Sequence, residues 1–306
     1  MTRLHIQHVT TYRYPHAVRL GQHTLMLRPR QSRDVHVLSS ALSVSPSARI
    51  AWSEDVNGNA VASASFAAAT DNLTIACVSE IELGAVAWPV FEIAYSAASY
   101  PFRYSDDDWV ALGALTAPSY ADPDGRLAQW ARGFVRGNAT DTLSLLKDIC
   151  AGIGASIRYQ SRDEEGTQSA CETLDRGWGT CRDLATLFVD AVRSLGFGAR
   201  IVSGYLYDPD FGATGNVEAG NTHAWAEVFV PGAGWIAFDP TNGGVGGFNL
   251  VPVAVARSIH QVMPVTGSLA SVGGAAEMAV AVSFSRSPLK ASGAPVEADR
   301  EPQWRG

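Results

Sequence analysis

The 306-residue chain is poor in several features that usually announce a function. Charged residues make up 17% of it, against about 25% in an average soluble protein. Its 23 basic and 30 acidic side chains leave a net charge of −7. Lysine and arginine never gather into a run, which argues against a nucleic-acid or anionic-membrane surface. The four cysteines, at 77, 150, 171 and 181, form no Cys-x-x-Cys pair, so neither a disulfide framework nor a structural zinc site is expected. No stretch approaches the roughly 20 apolar residues of a membrane span. The opening Met1-Thr2-Arg3-Leu4-His5-Ile6 alternates polar with apolar instead of leading into the apolar run of a signal peptide. Phosphate loops, dinucleotide fingerprints, EF-hand loops and internal repeats are also missing. These absences point to a cytoplasmic protein with no cofactor, no metal and neither nucleic acid nor membrane as a partner.

What is present suffices for a folded chain. A hydrophobic share of 46% excludes global disorder, and the length predicts about two domains with a core that needs no staples. Leu4, Ile6, His8, Thr10 and Tyr12 share one face at period two, and similar runs occupy 22–28, 35–45 and 73–83. Asn57-Gly58-Asn59 predicts a hairpin turn between 50–52 and 61–63. Residues 1–95 therefore read as an antiparallel β domain of sandwich type. Prolines, serines and the triplet Asp106-Asp107-Asp108 suggest a crossing segment over 96–122.

Periodicity then changes to that of an α+β unit over 123–285, in which a central helix lies against an antiparallel sheet. Leu127, Trp130, Ala131 and Phe134 form one helical stripe, and Leu143, Leu146, Ile149, Cys150 and Ile153 another. A third helix starts at Cys181, with Thr180 and Asp183 spaced as a capping box, a stripe from Leu184 to Leu195 and a stop at Gly196. Strands follow at 199–207, 222–230 and 235–239, the last two joined by Pro231-Gly232-Ala233-Gly234, and Met278–Phe284 alternates like one more. A flexible tail is expected over 286–306.

Cys181 is the best candidate nucleophile. The positive end of a helix favours thiolate, the preceding glycines leave room for a substrate, and the helix-start N–H groups are available to an oxyanion. An isolated cysteine at a helix start is more often an inert buried residue, but His223 shifts that weighing. If Phe229 and Trp235 flank the hairpin loop, Trp225 faces Asp239 and His223 becomes the diagonal neighbour of Asp239 on the same sheet face. A one-residue slip would separate them. Thiol, imidazole and carboxylate in the order Cys181, His223, Asp239 follow the logic of a nucleophile, its base and the group that orients the base.

Other residues invite plainer readings. Trp178 and Thr180 are candidates for the cleft wall or for oxyanion donors, although core packing is the commoner role for Trp178. Asp183 reads as a helix cap, Trp225 and Trp235 as packing, and Cys77 and Cys150 as structural. Cys171 has no base near it in sequence. The five histidines up to His36 read as partly exposed strand residues in preference to a metal cluster, since no carboxylate-rich motif accompanies them.

The stretches Gly179-Thr180-Cys181-Arg182-Asp183-Leu184-Ala185, Gly196–Leu206, His223–Val228 and Gly234–Asn242 closely resemble the bacterial transglutaminase-like family. His5–Tyr14 and Leu27-Arg28-Pro29-Arg30 are similar to the β domain preceding the core in that family. The resemblance extends to about residue 285. It implies a papain-like site with Cys181 as nucleophile, His223 as base and Asp239 as orienter, forming a thioester from an amide in a protein or peptide substrate. Water would resolve it in a protease or amidase, and an amine acceptor in a transglutaminase. Thr186 stands where relatives commonly carry histidine, and Thr180 where valine is common. The glycine-rich insert Asp208–Gly220 is read as a rim or lid. The rival class is a non-catalytic peptide-binding or assembly module that kept the fold. The N-terminal β domain is left with two roles, recruiting a protein substrate or forming a homo-oligomer.

Overall fold

The computed structural model describes residues 1–137, 139–162, 166–208, 218–269 and 277–286. Two sheets organise the N-terminal half. Strands β1 (Thr2–Val18), β2 (Leu20–Leu25), β3 (Val35–Ser45), β4 (Ala48–Glu54), β5 (Ala60–Phe66) and β6 (Thr70–Leu83) are all antiparallel to their partners. Alternation is clearest in β6, where every second residue from Leu73 to Leu83 is buried. The chain continues through helices α1 (Asp106–Leu112), α2 (Arg126–Arg132), α3 (Thr142–Ser156), α4 (Ala170–Arg176) and α5 (Cys181–Ser194). Strands β7 (Ala199–Leu206), β8 (Glu218–Val230), β9 (Gly234–Asp239), β10 (Leu250–Ala256), β11 (Val265–Leu269) and β12 (Glu277–Arg286) follow.

The sheet does not stop between the two halves. One nine-stranded sheet runs from a two-residue edge strand, Gly244–Val245, through β9, β8, β12, β1 and β6 to β3, with β7 paired to both β8 and β10. The joint is β12. It pairs with β1 from Leu4↔Arg286 to Arg13↔Glu277, and with the start of β8 from Glu218↔Phe284 to Gly220↔Val282. A four-stranded sheet in the order β11, β2, β5, β4 covers one face of the N-terminal strands. Leu25, Ala62, Ala64, Leu73 and Ile75 lie between the two layers. A separate cluster containing Leu4, Ile6, Tyr205, Val251 and Phe284 packs the N-terminal strands against the C-terminal ones.

Helix α5 is buried on all sides. Everything from Asp183 to Arg193 is inaccessible, the polar Thr186, Asp190 and Arg193 included. Its polar groups find internal partners. Asp190 accepts from the backbone N–H groups of Ser119 (2.9 Å) and Tyr120 (3.1 Å), while Arg193 donates to Leu115 O, Ser119 Oγ, Ala199 O and Arg257 O. This buried pair fastens the segment before α2 to the central helix.

The structure adds local detail to the sequence expectations in three places. The acidic triplet at 106–108 begins a helix, because Ser105 caps it and three carboxylates in the first turn complement the helix dipole. The hairpin expected at Asn57-Gly58-Asn59 is present, with β4 ending at Glu54 and β5 beginning at Ala60, and Asp55 organises its turn by gathering the N–H groups of Asn57 and Asn59. The capping box of α5 is made as expected, and it is reinforced by one more bond. Asp183 accepts from the Thr180 N–H (2.8 Å), and the Thr180 hydroxyl donates to the same carboxylate (2.9 Å). Of the insert 208–220, residues 209–217 lie outside the described residues, as do 287–306 of the expected tail. No described helix is long and apolar enough to cross a membrane.

Candidate active site

Cys181 is the first residue of α5 and half-buried, and it lines a cleft of about 310 Å³ with Thr180, Arg182, Ser203, Thr222 and His223. In the first helical turn the Cys181 and Arg182 amides have no intrahelical acceptor, so both are available to a negative oxygen beside the sulfur. Gly179 is needed here for a reason the sequence did not suggest. A Cβ at that position would lie 2.8 Å from Asp183 Cβ, so the glycine admits the carboxylate that ties down the start of the helix.

His223 lies on β8 opposite Gly204 of β7. A Cβ on Gly204 would come within 2.8 Å of the Trp225 ring. That ring stacks beside the imidazole with centroids 6.1 Å apart. The hairpin register is the one anticipated, with Phe229 opposite Trp235. Accordingly, His223 Nε2 and Asp239 Oδ2 are 2.8 Å apart. Since Nε2 is engaged there, Nδ1 is the ring nitrogen left to serve the Cys181 thiol, which shares the cleft.

The carboxylate of Asp239 is itself held. Its Oδ1 accepts from the N–H of Thr241 (3.0 Å) and of Asn242 (3.3 Å), and its Oδ2 from Asn242 Nδ2 (2.7 Å). Burial pushes the Asp239 pKa up, but the His223 and Asn242 bonds outweigh it and leave the group below its ordinary value. Burial pushes His223 down, and the hydrogen bonds and charges of Asp239 and Cys181 reverse this, raising it to about 9. The imidazole is therefore protonated at neutral pH, with a buried carboxylate on one side and a thiol on the other. Burial raises the Cys150 thiol to about 12 and also raises Cys171.

Trp178 and Thr180 occupy different positions from those expected of oxyanion donors. Both donors of Thr180 are committed to Asp183, leaving it only as cleft wall. Trp178 does not line the cleft. Its indole lies 5.5 Å under the Arg176 guanidinium, and its backbone pairs with Arg158. Asp183 does more than cap, since it is fully buried and also accepts from Gln168 N (2.7 Å) and Arg162 Nη2 (3.1 Å).

The far wall was not anticipated. His8, Thr10 and Tyr12 of β1, with Met278 and Val280 of β12, face the same cleft. Thr10 is opposite Val280 and Tyr12 opposite Met278. His8 is 1% exposed rather than a partly exposed strand residue, and burial lowers it to about 4. The face that the sequence pattern identified continues from the buried Leu4 and Ile6 into this wall. Only the tertiary fold shows where the face leads.

Residues 128–240 match the transglutaminase-like superfamily, and residues 4–82 match the bacterial transglutaminase-like N-terminal region. The chain thus carries the two regions of a bacterial transglutaminase-like protein. An uncharacterised protein of Mycobacterium leprae is 24% identical over 286 residues, covering 94% of this chain and 99% of its own. An uncharacterised protein of Mycobacterium tuberculosis is 31% identical over 130 residues, 41% of either chain. A crystal structure from Cytophaga hutchinsonii, of a protein provisionally assigned as a cysteine protease, superposes with a TM-score of 0.74. At 20% identity it covers 97% of this chain and 94% of that one, and it shares the fold.

Proposed function

We propose that the protein is a cysteine-dependent acyl-transfer enzyme acting on amide bonds of a protein or peptide. The observation that carries this reading is the placement of His223 between the Cys181 thiol and a buried, multiply hydrogen-bonded Asp239. In the proposed reaction the His223 imidazolium stabilises the Cys181 thiolate, which attacks the amide carbonyl. The Cys181 and Arg182 N–H groups receive the developing oxyanion. The imidazolium then gives its proton to the departing amine, leaving a thioester and a neutral imidazole. Water, deprotonated by that imidazole, attacks the thioester and releases a carboxylic acid with the thiol. An amine in place of water would give a new amide. Hydrolysis is the principal outcome proposed, because no described feature of the cleft selects an amine over water. Free cysteines at all four positions are in keeping with a cytoplasmic setting.

The test is to screen peptide amides against the wild type, Cys181→Ala and His223→Ala, and to trap the thioester with hydroxylamine for mass spectrometry. Turnover and a hydroxamate adduct that vanish in both variants are expected. Turnover retained in Cys181→Ala removes this function.

A further inference from the structure

Besides His223, two arginines line the cleft near Cys181, and among the described residues no carboxylate does. Asp183 and Asp239 lie behind the wall, engaged with Arg162 and His223. The two arginines differ. Arg162 is compensated, its Nη2 donating to Asp183 Oδ1 (3.1 Å) and Gly166 O (2.9 Å). Its side chain is 10% exposed, and its buried Nε has no partner among the described residues. Arg182 is half-buried, yet its guanidinium makes no hydrogen bond or ion pair to any described residue. It also sits in the first turn of α5, where the helix dipole favours negative charge. Its charge works against the helix and satisfies no group of the fold, while Tyr159 lies within electrostatic reach of both Arg182 and Cys181.

We infer that Arg182 is a substrate-recognition residue that pairs with a carboxylate on the acyl donor. The preferred substrate is then an anionic amide, a peptide carrying a carboxylate within about one residue of the carbonyl attacked by Cys181. A planar guanidinium can hold such a group through two parallel N–H bonds. The carboxylate comes either from an acidic side chain or from a free chain terminus. The term acyl donor rests on the function proposed above, whereas the anion site does not.

The experiment compares alkylation of Cys181 in the full-length protein by iodoacetate, which carries a carboxylate, and by the neutral iodoacetamide. Rates are resolved by mass spectrometry. In Arg182→Gln the iodoacetate-to-iodoacetamide rate ratio is expected to fall about tenfold, and Arg182→Lys is expected to keep most of it. Arg182→Met, which retains the apolar stem, serves if the glutamine variant does not fold. Equal ratios in wild type and the neutral variants overturn the inference. A second arm measures kcat/KM on matched peptides, Glu against Gln beside the scissile bond and free acid against amide at the C-terminus. The pair showing the preference identifies the carboxylate's source. An Arg182-dependent iodoacetate preference without turnover of any peptide keeps the anion site and removes the acyl-transfer reading. Turnover indifferent to substrate charge does the reverse.

Discussion

Asn59 and Val255 are 196 residues apart in sequence and joined by two hydrogen bonds, Asn59 Nδ2 to Val255 O at 2.8 Å and Val255 N to Asn59 Oδ1 at 2.9 Å. The side chain thus imitates a strand partner. The tip of the β4–β5 hairpin is docked onto β10 beneath the core, with Asn59 fully buried. Asn59→Ala would leave a buried N–H and C=O unpaired, so a loss of about 2–4 kcal/mol is expected in urea denaturation. Asn59→Asp would set a buried carboxylate against Asp55, to which the Asn59 amide donates at 2.8 Å, and should be at least as damaging. A midpoint unchanged in Asn59→Ala would mean that the hairpin tip does not contribute to holding the halves together.

Asp239→Asn should lower the His223 pKa, because the strongest groups raising it are the Asp239 hydrogen bond and charge. Less imidazolium then accompanies the thiol at neutral pH. Turnover of any peptide substrate is expected to fall by about two to four orders of magnitude, and iodoacetamide labelling of Cys181 at pH 7 should slow. Labelling as fast as wild type would separate Asp239 from the reactivity of the thiol.

Two buried histidines should shape the pH dependence of stability in opposite directions. His223 is raised to about 9 in the folded chain. Its contribution is full below the unfolded value of about 6.5 and disappears as pH rises toward 9, on the order of 3 kcal/mol. His8 is lowered to about 4, so acidification from about 6.5 toward 4 protonates the unfolded chain first and costs stability of similar order. Urea midpoints across pH 4–9 should therefore fall on both sides of pH 6.5. His223→Gln should flatten the alkaline limb and His8→Gln the acid one. A wild-type limb that persists unchanged in the matching variant would assign it to another group.

The Asp190–Arg193 pair should be costly to break and cheap to replace. Burial raises Asp190 and lowers Arg193 to about 10, though each remains hydrogen-bonded. Asp190→Leu alone leaves a buried guanidinium without its counter-charge, and a loss of about 3–5 kcal/mol is expected in chemical denaturation. Asp190→Leu with Arg193→Met should recover part of it. A double variant no better than the sum of the singles would show that Arg193 acts mainly through the carbonyls of Leu115, Ala199 and Arg257.

The readable parts of the sequence were those governed by neighbours in the chain. The start of α5 and the Phe229↔Trp235 register follow from capping chemistry and a short loop, and the approach of His223 to Asp239 follows from that register. The alternation of Leu4 to Tyr12 correctly grouped one face, but not what the face touches. His8 looked like an ordinary strand residue because its burial depends on β12 and Tyr205, far away in sequence. Asn59 was legible as a turn former, but its pairing with Val255 is a tertiary fact with no local signature. Arg182 stood in plain view within the Cys181 motif, and only the absence of a described partner around it gives it meaning.

The placement of β12 has a consequence for biosynthesis. This strand, residues 277–286, fills the gap between β1 and β8 and supplies Met278 and Val280 to the cleft. A nascent chain ending at residue 269 would already contain Cys181, His223 and Asp239, yet the edges of β1 and β8 that later meet β12 would be unpaired. Closure of the sheet joins the earliest strand to one synthesised hundreds of residues later, a pairing of high contact order that forms late. The reactive thiol would thus exist before the chamber that selects what reaches it, and the cleft would be completed only once β12 has emerged and paired.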